Sequence, residues 1–498
     1  MAKPNIFNSV QVQKPKKNVF DLTHDVKMST KMGQLTPVLV QECVPGDTFQ
    51  LGADSLIRFA PLTAPVMHRM DVSIHYFFVP NRIIWENWEK FIVDANTPYV
   101  LPYIVSQDWN DSYKKFMDYM GVPPNNGGIN VNVNALPFAA YQSIYNEYYR
   151  DQNLISPVDY KLNDGNNTSR YDDFLVMRNR AWEHDYFTSS LPFAQKGAAV
   201  DIPIGQLEGQ APVYISNAPT HTITAAPANI DVDGIGSATI PTGDLLADLE
   251  GLDVGATTIN DLRRAFRLQE WLEKNARGGT RYIENILMHF GVKSSDARLQ
   301  RPEYITGVKT PVVISEVLNT TGEDAGLPQG NMAGHGVAVT TGKMGNYFCE
   351  EHGYIIGIMS VMPKTAYQQG IPKTYLKNDP LDFFWPSFAH IGEQPVLNNE
   401  IFAYTSTGNE TFGYVPRYAE YKFNPSRVAG DFRTTLDYWH LGRIFGSQPA
   451  LNQTFIECTP DQCDRIFAVQ SSEDYLYCHI LNKIRAVRPM PKFGTPMF

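Results

Sequence analysis

The sequence has few cysteines and no long apolar run. Its five cysteines are an odd number spread over 498 residues, which argues against a disulfide framework and predicts a reducing compartment. The longest apolar run, residues 354–362, is far shorter than the roughly 18 residues of a membrane-spanning helix. Residues 1–20 contain lysines but no continuous apolar segment of the kind found in secretory signals. We therefore expect cytoplasmic synthesis.

A second absence is confined to one segment. Residues 197–262 contain no lysine or arginine, whereas the same stretch contains nine acidic residues. Tyr214 is its only Phe, Trp or Tyr residue, and most of the remainder is small or β-branched, so the segment can bury little apolar surface. We interpret residues 197–262 as an acidic surface insertion on a face that does not contact polyanions.

The sequence also lacks the local motifs of common enzymes. It contains no G-x-S-x-G nucleophile motif and no phosphate-binding G-x-x-x-x-G-K-[ST] loop. The spacing of Cys458, Cys463 and Cys478 does not complete a zinc site, and the adjacent side chains of residues 350–352 would point to opposite faces of a strand. We predict no cofactor and no enzymatic activity. The alternative is a β-rich carbohydrate-active enzyme or carbohydrate-binding protein, because any large β-protein offers pairs of carboxylates.

Most of the chain has the pattern of short antiparallel strands. Between residues 35 and 80, β-prone runs are separated by proline- and glycine-containing turns that are too short for crossover helices. Helical patterns begin near Asn81 and Pro137, inside the longer connections. The continuous apolar run at residues 354–362 predicts a strand that is buried on both faces. The predicted fold class is therefore mainly β, with helical and irregular insertions.

The strongest helical signal lies in residues 258–307. Thr258 and Asp261 have the spacing of an N-terminal cap, and Gly278-Gly279 ends the first helix. Four basic residues share one side of this helix: Arg263, Arg267, Lys274 and Arg277. Such a stripe suits nucleic acid, an anionic substrate, a neighbouring subunit or a solvated face. Because acidic residues are spaced to pair with the stripe and no catalytic motif surrounds it, we interpret it as facing neighbouring subunits.

A second helix follows the glycine pair. Its apolar residues recur at helical spacing and are predicted to point inward: Tyr282, Ile283, Ile286, Leu287 and Phe290. Gly291 is its predicted C-terminal stop. Together the two helices form a helical insertion over residues 258–292.

Both ends of the chain are basic, although the net charge is −10. We predict an extended arm over residues 1–34 and a basic tail over residues 483–498. Cationic segments with an occasional aromatic residue suit a single-stranded polyanion, but solvated termini have the same composition. The candidate nucleic-acid-facing residues are Lys14, Lys16, Lys17, Arg485, Arg488 and Lys492. With its net negative charge the chain cannot neutralise nucleic acid by itself.

Six long runs are specific enough to compare with known families. In chain order they are FDLTHDVKMSTKMGQLTPV (20–38), RNRAWEHDYFTSSLPFAQKG (178–197), LEKNARGGTRYIENILMHFGVKSSDARLQRPEYITG (272–307), EEHGYIIGIMSVMP (350–363), DPLDFFWPSFAHIGEQPVLNNEIF (379–402) and GYVPRYAEYKFNPSRVAGDFR (413–433). Taken together, these runs resemble the major capsid proteins of the Microviridae, and most of all the gokushovirus-like branch.

This resemblance implies an eight-stranded antiparallel jelly roll of the viral capsid type over residues 35–498, with long insertions. It implies a homo-oligomer of sixty copies in a T=1 icosahedral shell around a single-stranded DNA genome. The implied partners are a small basic DNA-binding peptide, a pilot or minor capsid protein, an internal scaffolding protein and a host cell-surface receptor. By position, the acidic insertion 197–262 corresponds to a three-fold protrusion with a possible role in host attachment. The implied location is the virion, after synthesis in the bacterial host cytoplasm.

Overall fold

The computed structural model describes residues 15–94, 96, 98–200, 258–320, 329–469 and 472–493, together with the backbone of short strands between residues 207 and 254. The chain divides into two compact units. The first comprises Met1–Ala194 and Gly279–Phe498, and the second comprises Gln195–Gly278. Within the described ranges, no helix is both long enough and apolar enough to cross a membrane.

The strands are β1 (Asn18–Asp21), β2 (His24–Thr30), β3 (Thr36–Cys43), β4 (Thr48–Phe59), β5 (Met70–Pro80), β6 (Tyr103–Val105), β7 (Asn132–Asn134), β8 (Leu207–Glu208), β9 (Val213–Ile215), β10 (Ile223–Ala226), β11 (Asn229–Val232), β12 (Leu245–Ala247), β13 (Asp253–Val254), β14 (Glu303–Pro311), β15 (Val313–Leu318), β16 (Met332–Thr341), β17 (Gly345–Phe348), β18 (Gly353–Pro363), β19 (Glu393–Leu397), β20 (Thr411–Pro416) and β21 (Leu476–Arg488). The α-helices are α1 (Asn81–Ile84), α2 (Trp88–Val93), α3 (Asp111–Tyr119), α4 (Leu136–Ile144), α5 (Tyr171–Phe174), α6 (Ile259–Gly278), α7 (Tyr282–Phe290), α8 (Asn398–Ile401) and α9 (Gln453–Ile456).

The larger sheet of the first unit is organised around β21 and β4. Its strands pair antiparallel in the order β1-β21-β4-β16-β15, with β2 also on β21 and β17 also on β4. β21 and β4 pair from Leu476 opposite Phe59 to Val487 opposite Thr48. Nearly every second residue of β21 is buried, which is the period of a strand that covers a core with one face and meets solvent with the other.

The smaller sheet has the antiparallel order β14-β5-β18-β3. Every residue of β18 is buried, which confirms the prediction from the apolar run at residues 354–362. Ile355 and Met359 belong to the core between the two sheets, whereas Ile356 and Ile358 belong to a second core on the outer face of the smaller sheet. β18 is therefore shared by both cores.

Helices α1, α3 and α4 supply much of the second core. The helical pattern that begins near Asn81 forms two short helices, α1 and α2, with Trp85 between them. Trp85 is buried and donates its indole N–H to the Asp164 carboxylate at 2.7 Å. The backbone at Trp85 is extended, with φ −138° and ψ 113°, and this ends α1.

Both ends of the chain differ from the predicted arm and tail. Within the predicted arm 1–34, residues 18–21 lie in β1 and residues 24–30 in β2, and both strands pair with β21. Within the predicted tail 483–498, residues 483–488 form the last part of β21. Without β1 and β2, the backbone groups along this edge of β21 would have no partners. The need for a pairing partner arises from the edge of β21, so the sequence of residues 18–30 does not reveal it.

The second unit contains α6 and three antiparallel strand pairs, β8–β13, β9–β12 and β10–β11. α6 begins with the predicted reciprocal cap. The Thr258 amide donates to the Asp261 carboxylate at 3.3 Å, and the Asp261 amide donates to the Thr258 hydroxyl at 3.2 Å. α6 ends at Gly278, as predicted. Because α7 belongs to the first unit, the predicted helical insertion 258–292 is divided between the two units.

A closed network of two lysines and two carboxylates joins separate segments of the first unit. Lys309 of β14 contacts Asp71 of β5 at 3.1 Å and Glu183 at 2.6 Å. Lys364, which follows β18, contacts Asp71 at 3.1 Å and also contacts Glu183. Burial opposes ionisation of Glu183, but hydrogen bonds from the two lysines outweigh burial and lower the pKa of Glu183 to about 2.

We expect Glu183→Gln to destabilise the fold by about 1 kcal/mol at pH 7, because the carboxylate is about a third exposed and its pairs are partly screened. The pKa of Glu183 is lower in the folded state than its ordinary value of 4.5. Its contribution is therefore present above pH 4.5 and is lost as the pH falls towards 2. Urea unfolding from pH 7 to pH 3 measures this, with exposed Glu350→Gln as control. A difference from the unmodified protein that does not shrink with falling pH would contradict the assignment.

Candidate functional site

The two predicted basic ends meet at one corner of the larger sheet. Asn18 lies opposite Arg488 in the ladder between β1 and β21, so the residues before β1 run beside those after β21. The Asn18 side-chain amide also donates to the Met490 carbonyl at 2.7 Å. The sequence gives no sign that residues so far apart along the chain would be neighbours. Lys14 lies outside the described residues.

The described cations at this corner differ in their contacts. Lys16, Arg485 and Lys492 are exposed. Lys17 is also exposed, and its ammonium donates to the Gly46 carbonyl at 2.6 Å. Lys16, Arg485 and Lys492 are therefore the members of the predicted set whose charges most directly face solvent.

Arg488 departs from the prediction that it faces nucleic acid. Its Nε and Nη2 donate to the Asp47 Oδ2 at 3.0 and 2.8 Å, and Nη2 also donates to the Glu42 carbonyl at 2.9 Å. Asp47 is fully buried. The guanidinium thus neutralises a buried carboxylate in the turn between β3 and β4. The sequence of the basic tail alone does not reveal this partner.

The basic stripe of α6 is mostly solvent-exposed within the second unit. Its exposed members are Arg263, Arg267 and Lys274, while Arg277 is half-buried. Arg267 pairs with Glu270 at 2.5 Å across one helical turn, and both side chains are mostly exposed, so the pair adds little stability. The apolar side of the helix is also incompletely covered, because Phe266 is 64% exposed. The assignment of the stripe to neighbouring subunits stays a prediction.

The apolar face of α7 was predicted to point inward, and this was wrong for three of its residues. Tyr282, Leu287 and Phe290 are exposed, whereas Ile283 and Ile286 are half-buried. Helical periodicity identifies an apolar face, but it does not say whether the same chain covers that face.

A larger apolar surface lies on the irregular segment 378–388, all of whose residues are exposed. Its large apolar side chains form what we call the aromatic platform: Leu381, Phe383, Phe384, Trp385 and Phe388. The segment has neither the 3.6-residue nor the two-residue period of an amphipathic element, so periodicity does not reveal it. The sequence signal for this surface is its composition: five of the eight residues 381–388 are large and apolar, and they follow no regular period.

One cavity of the first unit bears on the enzymatic alternative. It has a volume of about 260 Å³ and is lined in part by Glu400 and Glu420. The Tyr186 hydroxyl donates to Glu400 at 2.8 Å, and burial raises the pKa of Glu400. Lys377 pairs with Glu420 at 3.1 Å. Both carboxylates are thus bound by the protein's own groups.

The candidate metal ligands do not form a site. The Sγ atoms of Cys458 and Cys463 lie 3.7 Å apart, and both residues are buried. Burial raises the pKa of Cys458, so it stays a protonated and unreactive thiol. Over the part of the chain that the structure describes, no group of three or more His, Cys, Asp or Glu side chains could hold a metal ion.

An antiparallel β-protein that leaves an aromatic platform and a helix face uncovered has the surface of a subunit in a larger assembly. Comparison with known proteins agrees. A family model described as capsid protein (F protein) matches residues 8–498. The capsid protein VP1 of Bdellovibrio phage phiMH2K is 38% identical and aligns with 96% of this chain and 94% of its own length. The VP1 proteins of Chlamydia phage 1 (33% identical, 99% and 97%) and Spiroplasma virus 4 (31% identical, 95% and 94%) are also similar.

The chain belongs to this family of phage capsid proteins. The resemblance to Microviridae capsid proteins that the long motifs indicated is thereby confirmed. The protein is a structural capsid subunit that acts in a multi-copy shell. Nothing in the comparisons supports the carbohydrate-active alternative.

Proposed function

We propose that sixty copies of this chain form a closed T=1 icosahedral shell, which encloses a single-stranded DNA genome in the virion. The observation that carries the proposal is the uncovered apolar surface of the first unit, on the aromatic platform and on α7. Soluble monomers rarely expose such patches, whereas assemblies bury them between copies. The described cysteines are free and buried, which suits synthesis in the reducing cytoplasm of a bacterial host.

The proposed framework of each subunit is an eight-stranded jelly roll, made of β2, β3, β4, β5, β14, β16, β18 and β21. Two pairing orders support it: β2-β21-β4-β16 in the larger sheet and β3-β18-β5-β14 in the smaller one. Chain connections that pass repeatedly between two facing four-stranded sheets are the signature of this architecture. The same core contains residues from both sheets, which supports their face-to-face packing.

We expect particles purified without DNA to be uniform hollow shells of about 3.4 MDa, for sixty chains of 56.1 kDa. Electron microscopy with sedimentation analysis measures both its symmetry and its mass. Open sheets, or a stable monomer in the presence of its scaffolding protein, would contradict a closed shell.

The proposed contact with DNA lies at the corner where β1 begins and β21 ends, through Lys16, Arg485 and Lys492. Their exposure supports this, and so does the pairing of Asn18 with Arg488, which brings the residues before β1 beside those after β21. Exposed cations bind a polyanion without reading its sequence. Because the chain has a net charge of −10, other molecules must neutralise most of the negative charge of the genome. The proposed partners are therefore a small basic DNA-binding peptide, with a pilot or minor protein and an internal scaffolding protein.

We expect the double variant Arg485→Gln, Lys492→Gln to package less DNA per particle while unfolding like the unmodified protein, because exposed substitutions change stability by roughly 0.5 kcal/mol or less. Arg488→Gln is the matched control. It should lose about 3 kcal/mol of folding stability, because the buried Asp47 carboxylate loses its partner. The DNA-to-protein absorbance ratio and urea unfolding measure the two effects. Normal packaging by the double variant at several salt concentrations would refute the DNA assignment.

The proposed role of the acidic insertion 197–262 is a three-fold protrusion used in host attachment. The support is its composition: nine acidic residues with no lysine or arginine suit an outward face that does not meet the genome.

Deletion of residues 210–255 should leave particles that assemble but adsorb poorly to host cells. Adsorption rate constants, compared with particle yield by sedimentation, measure this. Unchanged adsorption by intact deleted particles would exclude the attachment role.

A further inference from the structure

The aromatic platform is unusual because it is apolar, exposed and continuous. Leu381, Phe383, Phe384 and Trp385 are 57, 52, 51 and 49% exposed, in a segment without a single buried residue from 378 to 388. An isolated exposed leucine needs no explanation, but a contiguous group of large apolar side chains marks a contact surface.

Hydrogen bonds fix the platform segment in one conformation. The Asp379 carboxylate accepts from the Leu381 amide at 2.8 Å, and the Asp382 carboxylate accepts from the Asn378 and Asp379 amides at 3.0 and 2.9 Å. The Trp385 indole N–H donates to the Pro380 carbonyl at 2.9 Å. The two 3-10 turns Pro380–Asp382 and Pro386–Phe388 are thereby held in place. A surface ordered in advance loses less conformational entropy on binding than a flexible one.

Tyr418 packs against the platform and forms hydrogen bonds with its backbone. Its hydroxyl accepts from the Trp385 amide at 3.2 Å and donates to the Phe383 carbonyl at 3.3 Å, and its ring lies 5.0 Å from that of Phe384. Tyr418 has a φ of +60°, an uncommon backbone conformation for a residue other than glycine. Its amide donates to the Gln394 side chain at 2.9 Å, which ties the support to β19.

A buried ion pair completes the support. Lys377 and Glu420 lie 3.1 Å apart, with their side chains only 3% and 8% exposed. The Lys377 ammonium lies 4.0 Å from the centre of the Tyr421 ring and 5.5 Å from that of Phe383. Burial disfavours the charged lysine, but hydrogen bonds to Tyr421 and Glu420 outweigh it and raise the pKa of Lys377. Because removal of one partner would leave an unpaired buried charge, this pair holds Lys377 next to the Tyr421 and Phe383 rings.

We propose that the aromatic platform is an inter-subunit contact that binds a second copy of this chain. The inference rests on the proposed closed shell and assigns one of its contacts to named residues. Aromatic residues, phenylalanine included, are enriched in protein interfaces, and tryptophan is among the residues whose truncation most often costs binding energy. Five half-exposed side chains offer on the order of 400 Å², about half of the roughly 800 Å² that each partner buries in a standard interface.

The charges within the platform segment itself argue against nucleic acid as its occupant. Aromatic surfaces that stack on single-stranded DNA are combined with cations that follow the phosphates. Residues 378–391 contain no lysine or arginine and contain two carboxylates, Asp379 and Asp382. The nearest lysine in the sequence, Lys377, is buried and paired. An apolar surface without exposed lysine or arginine suits contact with another protein subunit. Subunits of a capsid family are present in many copies.

The double variant Leu381→Ser, Phe383→Ser tests the proposal. Both side chains are more than half exposed and neither makes a hydrogen bond, so the variant should stay folded, with at most a small fall in its unfolding midpoint from the lost contact between Phe383 and Lys377. The threshold concentration for particle assembly should rise at least about tenfold. Tyr404→Ser is the matched control, since Tyr404 is 93% exposed and lies outside the platform. Its assembly threshold should not move. Unchanged assembly of the folded double variant would overturn the proposal.

A photo-crosslinking experiment on the otherwise unmodified chain removes any dependence on variant folding. A benzophenone-bearing amino acid placed at Phe383 should yield, after irradiation of assembled particles, a covalent dimer of this chain. Crosslinks only to DNA or to another protein would overturn the proposal. If the chain forms no closed shell but the dimer still appears, the shell proposal fails and the contact stands. If closed shells form without the dimer, the contact fails and the shell stands.

Discussion

The burial of both faces of β18 is the constraint on which the rest of the first unit depends. One face lies in the core between the two sheets and the other lies under α1 and α4, so every residue of the strand is out of solvent. A strand of this kind requires a partner layer on each side, because its apolar side chains alternate between two directions. The larger sheet supplies one layer and the helices inserted between β5 and β14 supply the other. The helical insertions are therefore a structural part of the subunit, because they cover one face of β18.

The first unit has filled cores but an apolar surface that it does not cover. Its cores are filled, while the aromatic platform and the outer side of α7 carry apolar side chains that the described part of the chain leaves in solvent. For an isolated protein such surfaces favour aggregation, whereas in the proposed shell they lie between neighbouring copies.

Buried charge pairs hold the parts of the chain that lack regular structure. Arg488 and Asp47 join the end of β21 to the turn after β3, and Lys377 and Glu420 lie under the aromatic platform. Irregular segments have no backbone ladder and no continuous apolar face, so single directional contacts must fix their position. The cost of desolvating these charges is offset by their mutual attraction and by hydrogen bonds to neighbouring groups.

Elements with a local physical signal were determined by the sequence alone. These are the doubly buried strand β18, the reciprocal cap at Thr258 and Asp261, the Gly278 stop and, through long motifs, membership of a capsid family. Tertiary structure decided everything that depends on a distant partner. It placed residues 18–30 on β21, turned Arg488 towards Asp47, left Tyr282 and Phe290 in solvent and assembled the aromatic platform. The physical reason is that composition and periodicity record which residues must be covered or paired, whereas only the folded chain decides which atoms cover them and which faces remain for another molecule.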